Sequence, residues 1–147
     1  MRKITTSVDI EAVPERVWAA LTSFDYYPDW NPFIRQASGR LQVGETLTLR
    51  MFPAKGRPMT FRPKVLVVEP QRELRWLGRL AVPGIFDGEH SFRLTPIEGG
   101  ATRMVQAERF SGALVPFVRG LVDRTVNDFH RLNEALKRYV EADTRWR

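Results

Sequence analysis

The chain has 147 residues and a formal net charge of +6 at pH 7, and it contains no cysteine. Its 43% hydrophobic and 27% charged residues are typical of a globular protein. A chain of this length can bury one sizeable core, so we expect a single domain over residues 1–147. The lack of cysteine excludes disulfides, thiolate metal sites and a cysteine nucleophile, and it fits a cytoplasmic location. No apolar stretch is long enough to predict a membrane span.

The first residues predict a half-buried strand followed by a short helix. Apolar and polar residues alternate from Ile4 to Ile10, which is the two-residue period of a strand with one buried face. Pro14 suits the first turn of a helix that runs for about two turns. This helix is too short to cover a sheet alone.

A proline-bounded corner follows at residues 27–33, which read YPDWNPF. Each proline fixes its own φ and moves the preceding residue out of the helical region. Asp29 and Asn31 can accept hydrogen bonds from nearby backbone N–H groups. We therefore predict a stiff corner that ends a helix, uses Trp30 as a brace against the core and starts a strand near Phe33.

Strands and turns, without a convincing helix, fill the region from Ile34 to Phe110. The turns contain glycine and proline and are short, which favours an antiparallel meander. The predicted strands span 34–39, 45–52, 59–69, 72–80, 85–96 and 101–110.

A long amphipathic helix of about 27 residues is predicted beyond Pro116. At 100° per residue its apolar side chains fall within an arc of about 140°, and charged residues occupy the opposite side. Asn133 lies in the middle of the apolar arc, between Val122 and Val126. Because this surface is broad, the sheet is the only partner large enough to cover it.

The corner at 27–33 and the order of the elements resemble the START-like, Bet v 1-like (SRPBCC) superfamily, in particular its bacterial polyketide cyclase/dehydrase and lipid-transport group. The resemblance spans essentially the whole chain. It implies an α+β helix-grip fold, in which a curved antiparallel seven-stranded sheet wraps around the long C-terminal helix and two short helices follow the first strand. It also implies a small hydrophobic ligand held between sheet and helix.

The period of the strands assigns alternate side chains to the face that meets the helix. On an outer strand, that face would continue through Phe61, Val65 and Val67. Near the centre it combines aromatic, aliphatic and a few polar groups. The predicted ligand-binding residues are Trp76, Phe86, His90, Phe92, Met104, Gln106, Glu108, Phe129 and Asn133.

The polar members of this face meet across a predicted hairpin. Folding the last two strands about residues 98–99 would set His90 opposite Gln106, with Glu108 as a diagonal neighbour of His90. Burying an amide without a partner costs on the order of 1–3 kcal/mol. These groups therefore either satisfy one another or meet water and a ligand in a cavity.

Three loops at one end of the meander, 53–59, 81–85 and 111–117, contain more apolar residues than loops in solvent need. They predict an apolar entrance for a hydrophobic molecule. The alternative is that they seal one another.

Few catalytic patterns can be assembled from this sequence. There is no nucleotide-binding glycine motif, GxSxG or HExxH pattern. The two histidines lie far apart and cysteine is absent, so no metal or cofactor is predicted. His90 and Glu108 are the one workable acid–base pair, and no family catalytic motif can be matched to them. Basic residues are spread along the chain without a run, which argues against nucleic acid as a partner.

Three functions remain open on these observations. The first is binding or carriage of a small hydrophobic molecule, such as a lipid or a polyketide-like or aromatic compound, between the sheet and the C-terminal helix. The second is a cyclase, dehydratase or isomerase that uses His90 and Glu108. The third is an interaction module whose basic outer sheet face binds an acidic partner or an anionic membrane surface. The oligomeric state is also left open. The outward basic residues are Arg50, Arg62, Lys64, Arg75, Arg79, Arg93, Arg103 and Arg109.

Overall fold

A computed structural model describes residues 1–80 and 84–143, with the side chain of residue 80 left out. The strands are β1 (Arg2–Ile10), β2 (Ile34–Ser38), β3 (Thr48–Met51), β4 (Met59–Phe61), β5 (Lys64–Glu69), β6 (Glu73–Leu80), β7 (Phe86–Ile97) and β8 (Ala101–Ser111). The α-helices are α1 (Pro14–Thr22), α2 (Tyr27–Trp30) and α3 (Arg119–Ala142), and single 3₁₀ turns occur at Phe24–Tyr26, Glu98–Gly100 and Val115–Phe117. None of the helices in the described ranges is both long and apolar enough to cross a bilayer.

All strand pairs are antiparallel, and they form the ladders β1-β8-β7-β6-β5 and β2-β3-β4. Residues just before β3 join the two ladders. The Gly44 N–H donates to the Val65 carbonyl at 2.9 Å, and the Leu47 N–H donates to the Pro63 carbonyl at 2.8 Å. The apolar side of α3, including Phe129 and Leu136, is buried against this surface. The predicted α+β helix-grip fold is confirmed.

The strand predicted over 59–69 is broken at residues 62–63, which makes the strand count eight rather than seven over the described residues. Pro63 has no N–H to donate and therefore cannot continue a ladder on that side. Its carbonyl still accepts from Leu47, so β4 and β5 both follow the same neighbouring segment. The hydrogen bonds around Leu47 and Val65 therefore keep the two ladders joined although the strand is interrupted.

A bulge in β5 corrects the predicted face of Val67. The register shifts between Val65 and Val67, so that Val67 lies opposite the outward Arg75 and Val68 lies opposite the inward Leu74. An extra residue in one strand reverses the faces of the residues that follow it. Val68, rather than Val67, packs against the core.

The β7–β8 hairpin has a register two residues away from the predicted one. His90 lies directly opposite Glu108, and Phe92 lies opposite Gln106. The cause is the turn: three residues, 98–100, separate the paired ends Ile97 and Ala101, so the hairpin is centred one residue later than predicted. A shift of two leaves every side chain on its predicted face.

The corner at 27–33 sets where β2 begins. Trp30 is buried, stacks on Tyr139 with ring centroids 5.9 Å apart, and meets Tyr27 edge-on at 5.1 Å. The Asn31 Oδ1 accepts hydrogen bonds from the N–H groups of residues 33 and 34, at 3.0 and 2.8 Å. Asn31 therefore makes the side-chain hydrogen bonds that hold the corner, and Trp30 packs against the neighbouring aromatic rings.

Replacing Asn31 by alanine is expected to lower the free energy of unfolding by about 1–3 kcal/mol, because two buried N–H groups lose their acceptor. Urea denaturation followed by tryptophan fluorescence measures this change. Asp29→Ala, at an exposed position of the same corner, is the control and should change stability by less than about 0.5 kcal/mol. Equal losses in the two variants would contradict the role given to Asn31.

The C-terminal end of α3 is tied to the end of β1 through Glu141. Its Oε2 accepts from the Glu11 N–H at 2.8 Å and from the Lys137 Nζ at 2.6 Å. Partial burial opposes ionisation of Glu141, but these two donors outweigh it and hold the pKa of the carboxyl below its ordinary value. The contact therefore stabilises the folded state in the ionised form.

A lowered folded-state pKa gives stability that is present above the unfolded pKa and is lost as the pH falls through the folded one. We expect Glu141→Gln to flatten the decline in stability below about pH 4, where an unfolded glutamate begins to bind its proton. Thermal unfolding between pH 7 and pH 3 measures this slope. Parallel curves for the parent and the variant would show that the contact does not contribute.

Candidate functional site

The predicted site lies on the inner face of β7 and β8, beneath α3. The His90 ring is enclosed by three aromatic rings, with centroid distances of 5.2 Å to Trp76, 4.8 Å to Phe92 and 4.9 Å to Phe129. Only 2% of the His90 side chain is exposed. Such an imidazole needs partners for both ring nitrogens, because burying either one unpaired is costly.

Both nitrogens of His90 have partners in β8. Nδ1 lies 2.9 Å from Oε1 of Glu108, and Nε2 lies 3.0 Å from Oε1 of Gln106. The predicted His90–Glu108 pair is therefore in contact, as direct cross-strand partners rather than diagonal neighbours. At this distance the two side chains can share a proton.

The hydrogen bonds continue from Gln106 to α3 and β1. Its Nε2 donates to Oδ1 of Asn133 at 2.7 Å and to the Phe129 carbonyl at 3.2 Å. The Asn133 Nδ2 donates to the Thr6 hydroxyl at 2.9 Å, and that hydroxyl donates to the Gln106 carbonyl at 3.0 Å. The buried polar groups therefore satisfy one another through hydrogen bonds, which is the first of the two alternatives predicted from the sequence.

Glu108 stands at the end of this network and differs from the other members. Its side chain keeps 15% of its surface exposed. Within the described residues, its second oxygen, Oε2, has no hydrogen-bond partner. A Cβ built on Gly88 would lie 2.4 Å from Oε2, so the glycine provides the space that the carboxylate occupies. Phe86 and Phe110, stacked at 5.6 Å, lie in the same strands next to it.

The predicted ligand-binding residues fall into two groups in the structure. The residues with little or no exposed surface are Trp76, His90, Phe92, Met104, Gln106, Phe129 and Asn133. Phe86 and Glu108 are only partly buried. Phe86 and Glu108 therefore lie where solvent can reach the interior face, and the residues of the first group are shielded from solvent.

Two of the predicted entrance loops contact each other. The N–H groups of Ala113 and Leu114 donate to the carbonyls of Gly84 and Ile85, each at 3.0 Å. Gly112 makes this approach possible: its φ is +114°, and a Cβ there would lie 2.5 Å from the Ile85 carbonyl oxygen. Residues 81–83 of the predicted loop 81–85 lie outside the described residues.

Exposed apolar side chains surround the start of α3. Phe117 has 82% of its surface exposed, and Leu114 and Leu121 are also exposed. They follow directly on the loop that contacts residues 84–85. Exposed large apolar groups in one short segment are typical of surfaces that meet a hydrophobic partner.

Two contributions were not found from the sequence. Thr6 is buried in β1, and its hydrogen bond to Asn133 joins residues 127 positions apart, which leaves no local pattern in the sequence. Asp128 is buried, and its Oδ1 accepts from the Ala54 N–H and from Nη1 of Arg131, both at 2.9 Å. Its position beside Phe129, at the edge of the apolar arc of the helix, was the one sequence feature that could have indicated its burial.

The outer sheet face carries less free positive charge than its composition predicts. Arg75 contacts both Glu73 and Glu89, and Arg103 contacts Asp9 through two hydrogen bonds. Further pairs are Arg93–Glu73 and Arg79–Asp87. Neutralised pairs attract an anionic surface weakly, so the pairing of four of the eight outward basic residues weakens the interaction-module hypothesis, which stays a prediction.

Comparison with known proteins agrees with the fold. The family described as "Polyketide cyclase / dehydrase and lipid transport" matches residues 1–141. Among curated proteins, none matches the sequence significantly.

Solved structures of similar shape come from several bacteria. The protein MLL2253 of Mesorhizobium loti has a TM-score of 0.77 and 21% identity, over 97% of this chain and 99% of its own. The Zhui aromatase/cyclase of Streptomyces sp. R1128 has a TM-score of 0.77 and 16% identity, over 95% and 93%. A START superfamily protein of Mycobacterium smegmatis has a TM-score of 0.71 and 21% identity, over 95% and 97%. Identities this low support the fold alone.

Proposed function

Because the chain belongs to the polyketide cyclase/dehydrase and lipid-transport family, we propose that it binds a small hydrophobic molecule at the Glu108 end of the interface between the sheet and α3. The observation that carries this proposal is a partly exposed carboxylate at the end of a buried hydrogen-bond network, with aromatic rings beside it. Ligand sites commonly combine an apolar lining with a few placed polar groups. The cytoplasmic location and contact with anionic membranes stay predictions.

The apolar part of the ligand would lie against Phe86 and Phe110. The exposed side chains of Leu114 and Phe117, next to the paired loops, would form the approach. Burying apolar surface contributes roughly 25 cal/mol per Å², so even a two-ring compound gains several kcal/mol from such contacts.

Bound hydrophobic compounds can be sought by native mass spectrometry and by solvent extraction of the purified protein. In parallel, 2-naphthol and other two-ring compounds can be titrated while the melting temperature is followed. We expect Phe86→Ala to reduce the ligand-induced shift, whereas Val43→Ala, at an exposed site away from Glu108, should leave it unchanged. A protein without bound compound and without any thermal shift would overturn the proposal.

A second candidate is an enzyme in which Glu108 removes a proton from the bound molecule and His90 supports it. The specific observation in its favour is the 2.9 Å contact between Nδ1 and Oε1. The probe is 2-tetralone, an aromatic ketone with exchangeable protons beside its carbonyl, incubated in D2O. We expect faster deuterium uptake with the parent protein than with Glu108→Gln. Equal rates would exclude Glu108 as a base.

A further inference from the structure

We infer that His90 always carries a proton on Nε2 and shares a second one with Oε1 of Glu108, which leaves Oε2 as a hydrogen-bond acceptor only. The polar group of the ligand is then a donor: an alcohol, phenol, enol or N–H. This inference deepens the proposed function and rests on it where the ligand is concerned. The placement of the protons rests on the protein alone.

The backbone of α3 fixes the orientation of the Gln106 amide. One end of the amide faces the Phe129 carbonyl, which can only accept a hydrogen bond, at 3.2 Å. The NH2 group must therefore point to Phe129 and Asn133, since the reverse orientation would oppose two oxygens. The amide oxygen of Gln106 then points to His90.

The amide oxygen of Gln106 in turn fixes the tautomer of His90. Oε1 of Gln106 lies 3.0 Å from Nε2 of His90 and has no hydrogen to give. Nε2 must be the donor, so the N–H on that nitrogen is fixed by a partner that is itself fixed by the helix backbone. His90 is held in one tautomer, as is common when the far side of an imidazole is engaged.

The other ring nitrogen of His90, Nδ1, faces Glu108. With Nε2 protonated, a neutral His90 has a bare lone pair on Nδ1, 2.9 Å from Oε1 of Glu108. Two lone pairs at this distance repel, so a proton lies between them. The pair is either imidazolium with carboxylate or imidazole with carboxylic acid, and in both forms Oε1 is occupied and Oε2 only accepts.

This arrangement divides the roles of the pair. Glu108 touches the ligand, and His90 is a positioning residue behind it. If Glu108 acts as a base toward a bound alcohol or phenol, the ligand O–H bond breaks, its electron pair stays on the ligand oxygen and its proton goes to Oε2. The shared proton then resides on Nδ1, so that the ligand carries one negative charge and His90 one positive charge.

Nuclear magnetic resonance of protein labelled with ¹⁵N in histidine tests the proton placement without any ligand. The chain has two histidines, and the exposed His130 serves as the internal reference. We expect Nε2 of His90 to be protonated at neutral pH, with its hydrogen exchanging more slowly than those of His130. A neutral His90 with a bare Nε2 would overturn the inference.

Binding of 2-naphthol and of its methyl ether tests the ligand class. We expect the parent to bind the naphthol at least about tenfold more tightly, which is about 1.4 kcal/mol. Glu108→Met should remove this preference. Glu108→Gln should keep much of it, because its NH2 can face Nδ1 while its oxygen takes the place of Oε2.

Equal affinities of the two compounds for the parent protein would overturn the acceptor role of Oε2. If neither compound binds and no other hydrophobic compound does, the proposed function fails, and with it the inferred ligand class. The magnetic resonance experiment still decides the proton placement in that case. The two failures are therefore distinguishable.

Discussion

Replacing Gln106 by leucine is expected to lower the free energy of unfolding by about 2–5 kcal/mol, a large share of the stability of a small domain. The side chain is fully buried, and its amide bonds to three groups: the His90 ring, Asn133 and the Phe129 carbonyl. Leucine fills similar volume, so the loss would come mainly from unpaired polar groups. Urea or thermal denaturation measures it.

The matched control for this variant is Arg109→Leu. Arg109 lies on the same strand, but it is outward and exposed. We expect its replacement to change stability by less than about 0.5 kcal/mol. In the Gln106→Leu protein the His90 signals should also change, because Nε2 loses its acceptor. A Gln106→Leu protein as stable as the parent would show that the network is dispensable for folding.

The alternation of apolar residues was sufficient to predict which residues of β7 and β8 face the helix. A strand places successive side chains on opposite faces, so the order of apolar and polar residues assigns the faces. The cross-strand partners were not predictable to the residue, because a turn centred one residue later, at 98–100, changes the partner of every residue by two positions. Only the observed register shows that His90 and Glu108 are direct cross-strand partners.

Other features depend on contacts that sequence patterns do not record. The bulge that turns Val67 outward becomes visible only in the pairing of β5 with β6. The partners of Asn133 come from Thr6 and Gln106, at distant points of the chain. Its place in the apolar arc predicted that it would be buried. Which atoms would satisfy it required the packing of α3 on the sheet.

Gly88→Ala is expected to reduce ligand affinity at least about tenfold if Glu108 receives the ligand. The new Cβ would lie 2.4 Å from Oε2, so the carboxylate has to move, whereas its distance of 3.8 Å from the Phe110 ring is an ordinary contact. Moving it disturbs the contact with Nδ1 of His90, and the ¹⁵N signal of that nitrogen should shift in the same variant. Titration with 2-naphthol and a histidine spectrum measure the two effects.

Gly78 offers a closely matched control, because it is the cross-strand partner of Gly88 on β6. A Cβ at Gly78 would approach no atom closer than 3.9 Å, which is an ordinary contact. Gly78→Ala should therefore keep both the affinity and the His90 signal. If both alanine variants behave alike, the space over Gly88 has no role in placing Glu108. If only Gly88→Ala loses binding and shifts the Nδ1 signal, the position of the Glu108 carboxylate controls both ligand binding and the proton shared with His90.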